Sequence, residues 1–234
     1  MKSSPCPIPE VKPHYHGHRQ RLREKFREHG HHPFADYELV ELLLCLAIPR
    51  EDVKPLAKRL LQQFGSLSSL LAAETKILLE IDGVGPAVVH VLKLVEAFIT
   101  RSTHQKIIGK IVLQGWQQVI DYCLTTMSYQ TREQLRLLFL DAKNQLIRDE
   151  VFENGTVNHL TVYPREIFRR ALELEASGII LVHNHPSGDP MPSRADIDTT
   201  VKIQKIADEL GIYLHDHLII GQGCHTSMKG LGIL

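Results

Sequence analysis

Residues 183–196 read HNHPSGDPMPSRAD, and this run decides how the second half of the chain should fold. The residues before it, GIILV over 178–182, are a short apolar stretch of buried-strand length. His183 and His185 stand two apart at the end of that strand, so their side chains point to one face and both imidazoles can reach one ion. Asp196 follows in the first turn of the next helix, which Ser193 is placed to cap. The intervening loop holds Pro186, Gly188, Pro190 and Pro192, so it can fold back and is stiff enough to fix the return. Two histidines and one carboxylate leave a tetrahedral zinc ion with one open position, and zinc so held brings the pKa of water to about 7. An isolated H-x-H carries little weight; the Ser and Asp at this spacing are what give it force.

Outward from this run, the pattern of a mixed domain continues. Residues 116–127 have helical spacing and 135–140 are apolar. Asp141 to Asn144 make a turn, and 145–152 form the second arm of a hairpin. Pro164 opens a helix to about residue 176. The capped helix runs over 194–210 with Gly211 closing it, and 212–220 alternate into a last strand. His215 and His217 lie on this strand at strand spacing. They are read as supporting or packing residues, with Asp216 facing the other way and His217 able to orient a motif residue. His159 is read as a loop histidine.

The first half reads as helices. One covers 20–28 and ends near Gly30. Another holds Leu39, Leu42 and Leu43 with Asp36 as its N-cap, and a third spans 53–64 with Gly65 just past its end. Short helices follow over 67–71 and 75–81. Asp82-Gly83-Val84-Gly85-Pro86 then leads into the apolar run 88–98, with Pro86 in the first helical turn. Residues 101–109 are polar and basic and read as a linker. His14, His16, His18, His29, His31 and His32 share no spacing that gathers them, and are read as solvated.

Composition narrows the classes. Of 27 basic and 27 acidic residues, 16 and 12 fall in residues 1–110, leaving 11 and 15 in 111–234. A polyanion would therefore meet the first half. No apolar run reaches the roughly 20 residues that span a bilayer, and the start of the chain carries no apolar signal core, so it reads as a disordered tail over 1–13. Cys6, Cys45, Cys123 and Cys224 form no C-x-x-C pair, which suits neither a disulfide framework nor a thiolate zinc site; a cytoplasmic location without membrane contact is expected.

The string HNHPSGDPMPSRAD resembles the metal motif of JAMM/MPN metalloproteases, in the RadC-like branch. So do LRLLFLDAKNQL, GTVNHLTVYPREIFRRALE, GIILVHNHPSG and LGIYLHDHLIIG. The likeness covers 112–234, and the first half is similar to the helical segment of RadC-like proteins with its helix-hairpin-helix. The resemblance implies Glu133, just before LRLLFLD, as general base, with Glu150, Glu153 and Glu166 as competitors. It implies that the Ser193 hydroxyl holds the developing oxyanion, a role compatible with N-capping. At the hairpin, Gly83 and Gly85 would let backbone N–H groups approach a DNA phosphate, although Ala87, Val88 and Val89 stand where DNA-binding versions often carry basic residues. Lys76, Lys93 and Arg101 are candidates to supply charge.

The expected fold is α+β. A helical domain over 1–105, with a helix-hairpin-helix near 75–100, precedes an MPN, cytidine-deaminase-like domain over 112–234 with a mixed, curved sheet. The expected function is that of a zinc-dependent hydrolase, a metallopeptidase with one Zn2+ per chain acting on a protein or peptide. The alternatives are a DNA-associated repair or recombination factor and a zinc nuclease.

Overall fold

A computed structural model describes residues 17–112, 114–152, 155–156, 159–160 and 163–234. The expected tail over 1–13, Cys6, His14, His16 and Glu153 lie outside the described residues. By its internal contacts the chain divides into two compact units, Met1–Lys93 and Leu94–Leu234, and the division falls within one helix. No helix among the described residues is long and apolar enough to cross a membrane.

The first unit is helical: α1 (His18–His29), α2 (Asp36–Ala47), α3 (Lys54–Phe64), α4 (Leu67–Ala72), α5 (Thr75–Leu79) and the start of α6 (Pro86–Gln105). Its core gathers the apolar stripes of these helices, with Leu44, Leu60, Leu78, Val88 and Leu92 almost fully buried. Gly65 ends α3 in the left-handed region, and the Ser66 hydroxyl caps α4 by accepting from the Ser69 N–H at 3.1 Å. Three expectations are corrected here. Asp36 is the first residue of α2 rather than its cap. Ala35 takes the cap position, where its N–H donates to the Glu38 carboxylate at 3.0 Å, and Asp36 faces the positive end of the helix dipole. Residues 101–105 are not a linker but continue α6. They contain no Gly or Pro, and Thr103 returns its hydroxyl to Ile99 O at 3.0 Å without leaving the helix. His18 is not simply solvated, because its Nε2 lies 2.7 Å from the buried Glu41 carboxylate.

The second unit contains α7 (Trp116–Met127), β1 (Leu135–Leu140), β2 (Leu146–Phe152), β3 (Gly155–Thr156), β4 (His159–Leu160), α8 (Pro164–Glu173), β5 (Gly178–Asn184), α9 (Arg194–Glu209), β6 (Tyr213–Ile220) and β7 (His225–Ser227). The main sheet has the order β2-β1-β5-β6-β7 and is mixed: β5 and β6 are parallel, the other pairs antiparallel. Asp141 folds the β1–β2 turn, its Oδ1 accepting from Lys143 N and Gln145 N, both at 2.8 Å. His159 sits in a strand opposite Thr156 and not in a loop. Helix α8 stops at Glu173, short of 176, because Glu175 turns into a positive φ of 52° and Ala176 N bonds back to Ala171 O.

Strand alternation divides the core in two. Leu138, Leu140, Ile180, Val182, Leu218 and Ile220 pack with α7 on one face. Leu137, Phe139, Ile179 and Leu181 pack with α8 and α9 on the other. β5 is central and buried at every position, and it runs past 182 to carry His183 and Asn184 within the ladder. On the α7 face, Arg136 donates to Asp149 at 2.6 Å and to the Tyr122 hydroxyl at 2.7 Å, and that hydroxyl also bonds Asp149. The charged pair is nearly sealed from water. Removing one charge strands the other, which typically costs about 3–5 kcal/mol. Asp149→Asn should therefore destabilise this unit by about 3 kcal/mol or more, whereas Glu173→Gln, in an exposed ion pair, should leave it unchanged. Trp116, the chain's single tryptophan, lies in α7 and reports this unit by fluorescence in a urea titration. Equal midpoints for the two variants would contradict this reading of the cluster.

Candidate metal centre

The end of β5 and the start of α9 meet on the α8/α9 face of the sheet. His183 is buried, and His185 and Asp196 are half-buried. The two Nε2 atoms are 3.0 Å apart, and the Asp196 carboxylate lies 3.4 Å from His183 Nε2 through Oδ1 and 3.5 Å from His185 Nε2 through Oδ2. The edge of a tetrahedron built on zinc bonds of 2.0–2.1 Å is about 3.3–3.4 Å. The histidine pair matches that edge to within a few tenths of an ångström, the two rings meet different carboxylate oxygens, and one ligand atom from each of the three residues lies within 4.8 Å of the others. Among the described residues they form the only cluster of three or more His, Cys, Asp or Glu groups spaced to hold an ion.

Buried hydrogen bonds determine which nitrogen each histidine presents. Thr200 Oγ1 is 2.6 Å from Asp196 O and 2.6 Å from His217 Nδ1, with Met228 Sδ farther off at 3.2 Å. A carbonyl can only accept, so the single hydroxyl proton goes to Asp196 O and His217 Nδ1 must be the donor. His217 Nε2 is then the acceptor for His183 Nδ1–H, 2.8 Å away. His183 Nε2 is left with a free lone pair aimed at the cluster. His185 is set in the same sense, with Nδ1 donating to Asp189 O at 2.8 Å. With both rings neutral, two ring lone pairs and a carboxylate therefore converge, an arrangement that suits a cation and that a proton on His185 Nε2 relieves only in part.

The loop between His185 and Asp196 is pinned to the β6–β7 turn. Gln222 N donates to Gly188 O at 3.1 Å, and a Cβ on Gly221 would come within 2.2 Å of that oxygen. Only glycine permits this approach. His185 N also extends the parallel ladder by donating to Ile220 O at 2.9 Å.

Burial holds the His183 pKa down to about 4 against the pull of Asp196, and pushes His217 well below its usual value. His185 is raised, first by its bond to Asp196 and, in smaller part, by Asp189 and the Glu133 charge. Burial would raise Asp196, but hydrogen bonds from His185 and Ser193 outweigh it and keep the carboxylate ionised far below its ordinary range.

Ser193 caps α9. Its Oγ accepts from Asp196 N at 3.2 Å, and its hydroxyl donates to Asp196 Oδ2 at 2.6 Å. Glu133 is half-buried just before β1. Leu135 pairs with His183, and extending that antiparallel register by two residues puts Glu133 opposite His185. Its competitors are engaged elsewhere: Glu150 with Arg170 at 2.8 Å, and Glu166 with Arg169 at 3.1 Å. His215 packs against Tyr213, its Nε2 filling the space a side chain on Gly178 would need. The Asp216 carboxylate turns to the backbone N–H groups of His217 and Lys229 and to the Ser227 hydroxyl. Sequence reasoning did not find Thr200, which lies one helical turn beyond Asp196 on the same face of α9; that i, i+4 spacing was the available signal.

In the helical unit, Gly83 takes a positive φ of 86° at the hairpin, and Arg59 donates from Nη2 to Asp82 O at 2.7 Å. Arg59 thus stands beside Gly83 between α5 and α6, and Lys93 donates to Leu71 O at 2.8 Å.

Two family models match the chain. One described as the RadC-like JAB domain covers residues 113–233, and one described as UPF0758 N-terminal covers 16–89.

The buried histidines make acid stability a direct probe of the relay. A histidine whose pKa is depressed on folding binds its proton in the unfolded chain first, so stability falls as the pH drops from about 6.5 towards 4. His183 and His217 act in this sense. His185, with its raised pKa, acts in the opposite one, contributing at low pH and losing its contribution as the pH rises. Chelator-treated protein should show a melting temperature that falls between pH 6.5 and 4.5, and His217→Asn should flatten that slope. An equally steep slope in the variant would show that His217 is not held neutral between Thr200 and His183.

Proposed function

Because the chain belongs to the RadC-like JAB-domain family, we propose that it is a zinc-dependent hydrolase that cleaves an amide bond in a protein or peptide. The observation that carries this reading is the convergence of His183 Nε2, His185 Nε2 and the Asp196 carboxylate on one point at the end of β5. These three residues would hold one Zn2+ per chain, which supplies Lewis acidity towards water and towards the scissile carbonyl.

The chain's own residues do the rest. The Thr200–His217 relay keeps His183 in the tautomer that offers Nε2, and the Asp189 carbonyl does the same for His185. Glu133 is the general base: it takes the proton of the attacking water and passes it to the leaving amine, and its charge already reaches His185. Ser193 donates its one hydroxyl proton to Asp196 Oδ2 and turns it to the carbonyl oxygen as negative charge builds there, while Ser193 N–H keeps its 2.7 Å bond to Asp196 Oδ2. A single three-residue cluster among the described residues favours this chemistry over a two-metal nuclease, whose ions sit about 3.5–4 Å apart.

A second reading, a DNA-associated factor acting through the helical unit, is supported by Gly83 and Gly85 in the hairpin and Arg59 beside it. Salt-sensitive duplex binding weakened by Arg59→Ala would favour it; binding indifferent to that change would count against it.

The test of the favoured reading is elemental analysis after zinc resupply and desalting, paired with cleavage of a mixed peptide library. Wild type should retain one zinc per chain. The double variant His183→Ala/His185→Ala should retain none. Glu133→Gln should keep zinc but lose cleavage by about a hundredfold or more, as expected for a general base. Full zinc in the double variant, or unchanged cleavage by Glu133→Gln, would overturn the assignment.

A further inference from the structure

The residue between the two histidines, Asn184, is 1% exposed and has no part in the ligand cluster. Alternation along β5 turns it to the opposite face from His183 and His185, the face with Ile180 and Val182. There both polar atoms of its amide bond to one short segment. Oδ1 accepts from Gln134 N at 2.9 Å, and Nδ2 donates to Arg132 O at 3.0 Å and to Gln130 O at 3.4 Å. The pattern admits no flipped amide, since the oxygen meets an N–H and the nitrogen meets two carbonyls. These bonds hold the chain where it leaves α7 and enters β1, and the residue they bracket is Glu133.

We propose that Asn184 is the positioning residue for Glu133. Resting on the reading of Glu133 as general base, it fixes the carboxylate against the metal centre by clamping residues 130–134 from the far side of the sheet. The H-x-H motif thus sets both halves of the site from one strand, the odd positions presenting ligands and the even position holding the base. Asn suits this position because it offers one acceptor and two donors on a side chain short enough to reach the neighbouring strand's backbone. Aspartate would lack both donors.

A carboxylate held beside the ion repels an anion approaching the open coordination position. Thiocyanate binding to the Co2+-loaded full-length chain, followed by visible absorption, therefore reads where Glu133 sits. Glu133→Gln should bind thiocyanate about tenfold more tightly, the size expected for removing a charge some 6 Å away in a partly wet site. Asn184→Ala should tighten it by a comparable factor, because the released segment carries the carboxylate away. In the Glu133→Gln background, Asn184→Ala should add nothing. Asn184→Leu, which keeps the volume on an apolar face, should repeat the result and stands in if the alanine variant does not fold. Both Asn184 variants should keep stoichiometric cobalt.

Tightening by Glu133→Gln with none by either Asn184 variant would overturn the positioning role and leave the Glu133 reading intact. Equal, additive effects in the double variant would also overturn it, since Asn184 would then act independently of Glu133. No change on Glu133→Gln would remove Glu133 from the ion's vicinity and overturn both.

Discussion

Three acceptor groups brought together without a donor are the constraint on which the second unit turns. Two imidazole lone pairs 3.0 Å apart, facing an ionised carboxylate, repel one another unless positive charge lies between them. In the absence of metal a proton can serve in part, which is why His185 is raised and shares a bond with Asp196. His183 cannot take that role readily, because burial holds it neutral. The site is thus poised for a cation by the fold itself. Thr200, His217 and the Asp189 carbonyl ensure that the nitrogens facing inward are the unprotonated ones.

That arrangement depends on the register of one strand. Among the described residues β5 is the strand bonded to both β1 and β6, so its position sets His183 and His185 relative to Glu133 on one side and to His217 on the other. A slip of one residue would exchange faces, turning the histidines towards α7 and Asn184 towards α9. The run Gly178 to Val182 is apolar on both faces, so position-specific contacts at its ends guard against that slip: Gly178 lies under His215, and Asn184 bonds Gln134 N and Arg132 O. The contact of Gly221 with Gly188 closes the loop that returns the chain to Asp196.

Much of this was legible in the residues. Period-two spacing put His183 and His185 on one face, and Ser193 marked the start of α9 at the residue where it begins. Trp116–Met127 and Leu135–Leu140 carried helical and strand patterns plain enough to bound those elements. The failures have local causes. Asp36 resembled a cap because Asp often is one, but Glu38 reached back to Ala35 first. Residues 101–105 looked like a linker because they are polar, yet polarity does not stop a helix that meets neither Gly nor Pro. Asn184 and Thr200 were invisible as functional residues because their partners are backbone atoms and a histidine distant in sequence, which only the assembled sheet brings near. The Arg136–Asp149–Tyr122 cluster escaped for the same reason.

The orientation of His183 carries the central claim, and one measurement addresses it directly. A crystal of the zinc-loaded protein, with anomalous data on both sides of the zinc edge, locates the ion without assuming its ligands. The expected result is one ion per chain bonded at about 2.0–2.1 Å to Nε2 of His183, to Nε2 of His185 and to an Asp196 oxygen, with Glu133 near but not bonded. An ion bonded through Nδ1 of His183, or bonded elsewhere with these three residues left free, would contradict it, because the proton that His217 accepts would then have to sit on the atom that binds the metal.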